Sequence, residues 1–174
     1  MTFHCSWDTT VTIVTFIVTA ILLITAIVFF RKLLYYKKAR KKILPFLFSL
    51  LVILFCIGFF IGSMLFVPQN ISVKNDCIYV ERIYKDVIIP VNQIKEIRLC
   101  NAADTKNGIR VFASGGFGGY WGKFKSPQLG DYQMYATDSS KKILIKTINQ
   151  TFILSCDKPN EMINYINGLE TLEN

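Results

Sequence analysis

The chain has 174 residues, of which 52% are hydrophobic, and it carries a formal net charge of +8. Seven of its Lys and Arg residues lie in the short segment 31–43, which contains no acidic residue. The charges outside this segment nearly balance, so the composition excludes a strongly basic nucleic-acid-binding domain, and no nucleic-acid partner is expected. The concentrated positive charge is instead a signal of membrane topology.

Two uncharged apolar runs flank the basic segment: Thr10–Phe30, with 21 residues, and Pro45–Val67, with 23 residues. As helices they are about 31 and 34 Å long, enough to cross a hydrocarbon core of about 30 Å. Two core helices of a soluble domain would need more surrounding chain, and a signal peptide would need a positive leader. We therefore predict transmembrane helices at 10–30 and 44–67, joined by a basic loop at 31–43.

The distribution of Lys and Arg predicts the orientation. The N-terminal tail 1–9 has none, segment 31–43 has seven, and residues 68–87 have three. Loops that stay in the cytoplasm are enriched in Lys and Arg close to the helix ends. We therefore place the loop in the cytoplasm and both termini outside it. A cytoplasmic C-terminal domain, the alternative, would require the basic loop to cross the membrane.

Small residues predict how the helices pack. Gly58 and Gly62 are four residues apart, a spacing that lets a second helix approach closely. A small-residue face of the first helix, including Thr15 and Ala26, is the expected partner, and dimerisation through the same face is the alternative. The basic loop either only sets topology or also binds anionic lipid. Its cations are Arg31, Lys32, Lys37, Lys38, Arg40, Lys41 and Lys42.

From Ile71 onward, short β-like runs replace the long apolar runs. The predicted strands cover 71–73, 77–84, 86–91, 93–99, 109–113, 132–137, 142–148 and 151–156. A short amphipathic helix follows at about 159–168, with Pro159 and Glu161 in its first turn and an apolar stripe that includes Met162 and Ile166. This order predicts a small barrel or sandwich closed by a terminal helix.

The segment RVFASGGFGGYWGKFKSPQLGDYQMYAT at 110–137, followed by ILIKT, TFILSCDKP and the last helix, resembles the bacterial pleckstrin-homology-like domain family. DVIIPVNQIKEIRL at 86–99 is also similar to a strand pair of that family. The resemblance covers about residues 71–170 and implies two orthogonal antiparallel sheets with a C-terminal capping helix. It implies no activity, because this fold serves many functions. A phosphoinositide site is not expected, since Arg82 and Lys85 alternate with acidic residues.

The glycine-rich stretch 114–125 has the most unusual composition in the domain. Its candidate ligand or partner residues are Gly116, Phe117, Tyr120, Trp121, Lys123 and Lys125. A phosphate-binding P-loop is disfavoured because Phe124 follows Gly122-Lys123 and no helix is predicted next. The remaining interpretations are a structural loop, a contact with a partner peptide, or a contact with the lipid surface.

No catalytic constellation is visible. The single histidine, His4, lies in the N-terminal tail, so Ser-His or Cys-His catalysis within the domain is excluded. Neither a metal site nor a cofactor is expected. Cys77, Cys100 and Cys156 are interpreted as unpaired thiols, with a bridge between Cys77 and Cys156 as an alternative.

Taken together, these features predict a non-enzymatic protein with two membrane spans in a bacterial inner or plasma membrane. Its pleckstrin-homology-like domain is expected outside the cytoplasm, in an accessory or scaffold role that involves an unidentified membrane or envelope protein, membrane lipids or a second copy. A module that binds lipid or anions through the glycine-rich stretch is the alternative.

Overall fold

The computed structural model describes residues 1–39 and 43–170. Two long helices come first: α1, Thr9–Ala39, and α2, Ile43–Leu65. They pack as an antiparallel hairpin, since Phe29 contacts Phe48 at one end, while at the other end both helices reach the same part of the β domain. Both are long and apolar enough to cross a membrane. In the most apolar 18-residue stretch of each helix, only 6% of α1 and 11% of α2 is buried within the protein. That exposure distinguishes them from the core helices of a soluble protein.

The rest of the chain forms two β-sheets. The first has the order β1-β2-β3-β4 and is antiparallel throughout. The second has the order β5-β9-β10-β8-β7-β6, and its neighbours are antiparallel except for β8 and β10, which run parallel. The strands of the first sheet are β1 (Thr2–His4), β2 (Pro68–Lys74), β3 (Cys77–Arg82) and β4 (Val87–Pro90). Those of the second are β5 (Ile94–Leu99), β6 (Ile109–Gly115), β7 (Tyr120–Ser126), β8 (Gly130–Ala136), β9 (Lys142–Thr147) and β10 (Thr151–Ser155).

Local sequence explains the first hairpin of the domain. Asn75 and Asp76 have φ values of 50° and 53°, and they join Lys74 directly to its cross-strand partner Cys77. Two left-handed residues give a turn whose twist matches that of the strands, and Asn and Asp tolerate this conformation well. In β3, Ile78 and Val80 then alternate into the core.

The core lies between the two sheets and under helix α3, Pro159–Glu170. Ile71, Ile145 and Leu154 are fully buried there, and Met162 and Ile166 of α3 close the open end. Each such side chain contributes about 1.5–3 kcal/mol through its removal from water. A helical hairpin followed by a two-sheet domain with a C-terminal capping helix is therefore confirmed as the fold.

Three boundaries differ from the prediction. Segment 31–39, predicted as part of a loop, continues α1, and residues 40–42 lie outside the described residues. The glycine-rich stretch, predicted as a loop, contains all but the last residue of strand β7, Tyr120–Ser126. The N-terminal tail 1–9, for which no strand is predicted, contains β1, whose residues 2–4 pair with β2.

The N-terminal residues are fastened to the domain along their whole length. The amide of Cys5 bonds to the carbonyl of Gln69, and the amide of Asp157 bonds to the carbonyl of His4. Asp8 then caps α1 by accepting from the Val11 amide at 2.6 Å, while its other oxygen accepts from the amide and hydroxyl of Ser139. The start of α1 is thus fixed to the β domain, which requires both to lie on the same side of any membrane the hairpin crosses.

Candidate functional site

The tip of the β6–β7 hairpin, residues 116–119, is buried against the two long helices. A Cβ atom at Gly116 would lie 3.3 Å from a methyl group of Val14 in α1. A Cβ atom at Gly118 would lie 2.6 Å from a methyl group of Val67, just beyond α2. The absence of side chains at these positions lets the backbone reach both helices.

Specific bonds hold this tip in place. The amide of Gly118 donates to the hydroxyl oxygen of Thr15 at 2.9 Å, and that hydroxyl donates to the carbonyl of Gly116 at 3.4 Å. The ring of Phe117 stacks on Phe59, with centroids 5.8 Å apart, and meets the edge of Phe60 at 6.2 Å. Gly116 and Phe117, two of the candidate ligand or partner residues, contact the chain's own helices, as the structural-loop interpretation requires.

Trp121, at the start of β7, extends the contact between the domain and the end of α2. The indole of Trp121 stacks on Phe66 at 5.3 Å, and the guanidinium of Arg82 lies over the same Phe66 ring and over Tyr135. The indole nitrogen of Trp121 is buried and has no hydrogen-bond partner among the described residues. Trp121 and Arg82 therefore stabilise the junction between the end of α2 and the domain.

Lys123 and Lys125 lie on the exposed part of β7, away from the tip. In the register of the hairpin Lys123 pairs with Phe112 and Lys125 pairs with Ile109, so each lysine has an apolar neighbour on the adjacent strand. Lys125 also forms a weak, exposed ion pair with Asp131 at 3.7 Å.

Strand β6 has three large apolar side chains that are mostly exposed. Ile109 is 61% exposed, Val111 60% and Phe112 79%. Because β6 is the last strand of its sheet, the hydrogen-bonding groups along its outer side have no neighbouring strand among the described residues. We call this strand with Lys123 and Lys125 the β6 edge.

The other three sheet edges are protected. β1 has only three residues, and β4 has four and ends in Pro90, which cannot donate a backbone hydrogen bond. β5 carries charges, including the ion pair between Arg98 and Glu96 at 2.8 Å. Short length, proline and charge are the usual means of blocking an edge, and β6 has one charged residue, Arg110, and a bulge at Val111 beside its three exposed apolar side chains.

Gly58 and Gly62 do not pack against α1. A Cβ atom added to either would meet nothing within 4 Å, so the predicted contact within the hairpin is wrong. Cys56 and Ser49 are the buried residues of α2, and Thr15, the expected partner, contacts the β hairpin. The glycine pair lies where side chains would meet open space, and dimerisation through it stays a prediction.

The basic segment is described only in part. Arg31, Lys32 and Lys37 are exposed on the last turns of α1, and the Lys32 ammonium lies 5.0 Å from the centre of the Phe29 ring. Lys38 lies on the same helix. Arg40, Lys41 and Lys42 fall outside the described residues. Lipid binding by this segment stays a prediction.

All five cysteines are free thiols. Burial raises the pKa of Cys5 to about 12 and that of Cys156 to about 11, which makes both poor nucleophiles at neutral pH. In the part of the chain described here, no group of three or more His, Cys, Asp or Glu side chains is arranged to hold a metal ion.

Two helices of membrane-spanning length, followed by two sheets and a capping helix, define a membrane-anchored pleckstrin-homology-like protein. The family model described as "Bacterial PH domain" matches residues 69–169, and the chain belongs to that family. No curated protein and no solved structure matches the chain. Members of such families typically have no catalytic activity of their own, and the fold alone defines no ligand.

Sequence reasoning missed the β6 edge as a surface. The run IRVFA at 109–113 was correctly predicted as a strand, but its position in the sheet depends on the pairing of distant strands. The feature of the sequence that could have indicated this surface is the apolar strand 109–113, followed by a segment in which Lys123 and Lys125 alternate with Phe124. The glycines of the tip make the composition of this stretch unusual, but their role in the structure is to let the backbone pack against the helices.

Proposed function

We propose that this two-span membrane protein binds an extended segment of another membrane or envelope protein along the β6 edge. Its role is that of an accessory or scaffold component, without catalysis. The observation that carries the proposal is the combination of an unpaired strand edge with Ile109, Val111 and Phe112, each at least 60% exposed. A peptide that adds a strand gains main-chain hydrogen bonds at the edge and apolar contacts beside it.

The charges beside the edge indicate the chemistry of the partner. Lys123 and Lys125 are exposed next to Phe112 and Ile109 on one face of the sheet, so an added strand that presents both apolar and acidic side chains on that face would match both. The same arrangement of apolar and basic groups also favours a second candidate, contact with the anionic surface of the membrane. Trp121 and the tip at Phe117 hold the start of β7 next to the helices, which supports this second candidate.

Photo-crosslinking in living cells tests the proposal. A benzophenone side chain at Phe112 is expected to give a protein adduct of defined mass, and the same group at Ile88, exposed on the protected edge β4, serves as the matched control. Mass spectrometry identifies the adduct, and two differently tagged copies show whether it is a second copy. A second substitution, Ile109→Lys, should remove the adduct. Lipid adducts alone would favour the membrane-surface candidate, and equal adducts at both positions would contradict the proposal.

The orientation is part of the proposal: the domain lies outside the cytoplasm and the basic end of α1 lies inside. The excess of Lys and Arg in 31–43 supports this orientation, and the attachment of the N-terminal residues to the domain keeps these two parts on the same side. Lys106 and Lys37 are both exposed, one in the domain and one on α1, so they form a matched pair for cysteine substitution.

An impermeant maleimide applied to intact cells distinguishes the two orientations, in a background where Cys77 and Cys100 are alanine and the buried cysteines remain. We expect K106C to be labelled and K37C to be protected until the cells are opened. The reverse pattern would place the domain in the cytoplasm and move the search for partners there.

A further inference from the structure

The loop between β3 and β4, residues 83–86, lies beside the end of α2. Only two residues separate the end of α2 at Leu65 from the start of β2 at Pro68, and Pro68 pairs with Arg82, the last residue of β3. In addition, the amide of Tyr84 donates to the carbonyl of Leu65 at 3.1 Å. The register of the sheet and a direct hydrogen bond therefore place this β3–β4 loop at the level where α2 ends.

The end of α2 has its backbone carbonyls satisfied by the protein itself. The carbonyls of Ser63, Met64 and Leu65 accept hydrogen bonds from backbone amides further along the chain, and for Leu65 that amide is the one of Tyr84. The last four carbonyls of a helix have no partner within the helix, and the apolar layer of a membrane offers no water to replace one. The β3–β4 loop thus completes α2 as a helix end close to the apolar layer requires.

Hydrogen bonds from Arg82 close the β3–β4 loop on itself. The Nε atom of Arg82 donates to the carbonyl of Lys85 at 2.8 Å, and its amide donates to the carboxylate of Asp86 at 3.2 Å. The loop nevertheless leaves two large apolar side chains uncovered by protein, since Ile83 is 58% and Tyr84 67% exposed. Lys85 between them and Asp86 is exposed as well.

We infer that the β3–β4 loop lies in the headgroup region of the membrane that the hairpin crosses. Ile83 and Tyr84 then contact the boundary of the apolar layer, and the Lys85 ammonium lies among the lipid phosphates. Tyrosine is enriched at this depth because its ring is apolar and its hydroxyl is polar, and anionic lipid attracts lysine near the surface. The apolar run of α2 extends to Leu65, so the membrane reaches the level of the loop and covers both side chains.

The inference is separate from the proposed binding of a partner segment. The β3–β4 loop belongs to the first sheet, whereas the β6 edge belongs to the second. It also holds for either orientation of the hairpin, because the loop is attached to the end of α2 and follows that end to whichever face of the membrane it occupies.

Quenching of a fluorescent label by lipid tests the position of the loop. The full chain carries the fluorophore NBD on one introduced cysteine, in a background where Cys77 and Cys100 are alanine and the buried cysteines remain. Nanodiscs of phosphatidylglycerol contain either no quencher or a lipid with a nitroxide near the top of its acyl chain. Since interfacial groups reach about 5–10 Å into the boundary of headgroups and acyl chains, we expect labels at Ile83→Cys and Tyr84→Cys to lose about half of their fluorescence or more.

Two further positions serve as controls. Asn75→Cys lies in the exposed turn at the other end of β3, about 20 Å along the strand from the base of the sheet, and its label should keep its fluorescence. Leu54→Cys, at a 60% exposed position within α2, should be quenched and thereby report that the hairpin lies in the bilayer. Quenching at 54 with none at 83 and 84 would overturn the inference, and so would equal quenching at 75 and 84.

Discussion

The two ends of the β6–β7 hairpin differ in what surrounds them. At the tip, Phe117 is only 9% exposed because it contacts α2, whereas five residues earlier Phe112 is 79% exposed. Both are phenylalanines in the same hairpin, so composition alone cannot tell a packing residue from a binding residue. The difference arises from the helices, which cover the tip and leave the edge free.

The tip also explains why the domain and the helical hairpin form one unit. Thr15, Phe59 and Val67 come from both membrane-length segments and meet at a single loop of the domain. The tip therefore contacts α2 at Phe59 and near its end, and also Val67 just beyond it.

The largest expected effect comes from adding a methyl group at the tip. Gly118 and Gly130 have φ values of 68° and 67°, but a Cβ atom would clash with Val67 only at Gly118 and would meet nothing at Gly130. Gly130→Ala should cost about 1–2 kcal/mol of unfolding free energy, the cost of a left-handed alanine. Gly118→Ala should cost about 1–3 kcal/mol more, because it also overpacks the contact with the helices.

Chemical denaturation in the same detergent measures both variants. Because the backbone conformation is matched, the difference between them reports the contact between the tip and the helices. Equal losses would show that this contact contributes nothing to stability, and the contrast between tip and edge would then fail.

A smaller effect is expected at the segment that leads into β6. Asp104 accepts from both terminal nitrogens of Arg98, at 2.7 and 2.9 Å, and from the amide of Asn101 at 2.8 Å. The bonds from Arg98 are the main reason that the pKa of Asp104 falls to about 2. A lowered pKa stabilises the fold above the unfolded value of about 4, and this contribution is lost as pH falls toward 2.

The loss between pH 4 and pH 2 should amount to about 1–2 kcal/mol, allowing for solvent screening of the partly exposed Arg98. Asp104→Asn should lower stability at pH 7 by a similar amount and flatten the pH dependence in that range. Unfolding curves of both proteins between pH 2 and pH 7 measure this. If the free energy of unfolding of Asp104→Asn fell between pH 4 and pH 2 as steeply as that of the wild type, the pH dependence would come from other carboxylates. Asp138, whose pKa is also lowered, is the first of these to test.

Much of the fold was predictable because it depends on local pattern. Apolar runs of membrane length, alternation in β3 and the Pro159 start of α3 all appear in the sequence itself. The tail strand β1 was not predictable, since three residues acquire a strand conformation only by pairing with Ser72, Ile71 and Asn70. For a related reason, the sequence predicts a close contact at Gly58, whereas in the structure the close contact with a helix is at Gly118. Spacing suggests that a glycine permits close approach, but only the fold shows what approaches it.

The smallest expected effect is at the β6 edge, where a large chemical change should leave stability unaltered. Phe112 is 79% exposed, so Phe112→Lys removes little buried apolar area, and the free energy of unfolding should change by less than about 0.5 kcal/mol. Phe117→Lys, the matched change at the tip, places a charge against Phe59 and should prevent stable docking of the hairpin. Thermal unfolding of both variants in detergent makes the comparison. If Phe112→Lys were as destabilising as Phe117→Lys, the exposed edge would be a structural element of the domain, and the proposal that it binds a partner would lose its main support.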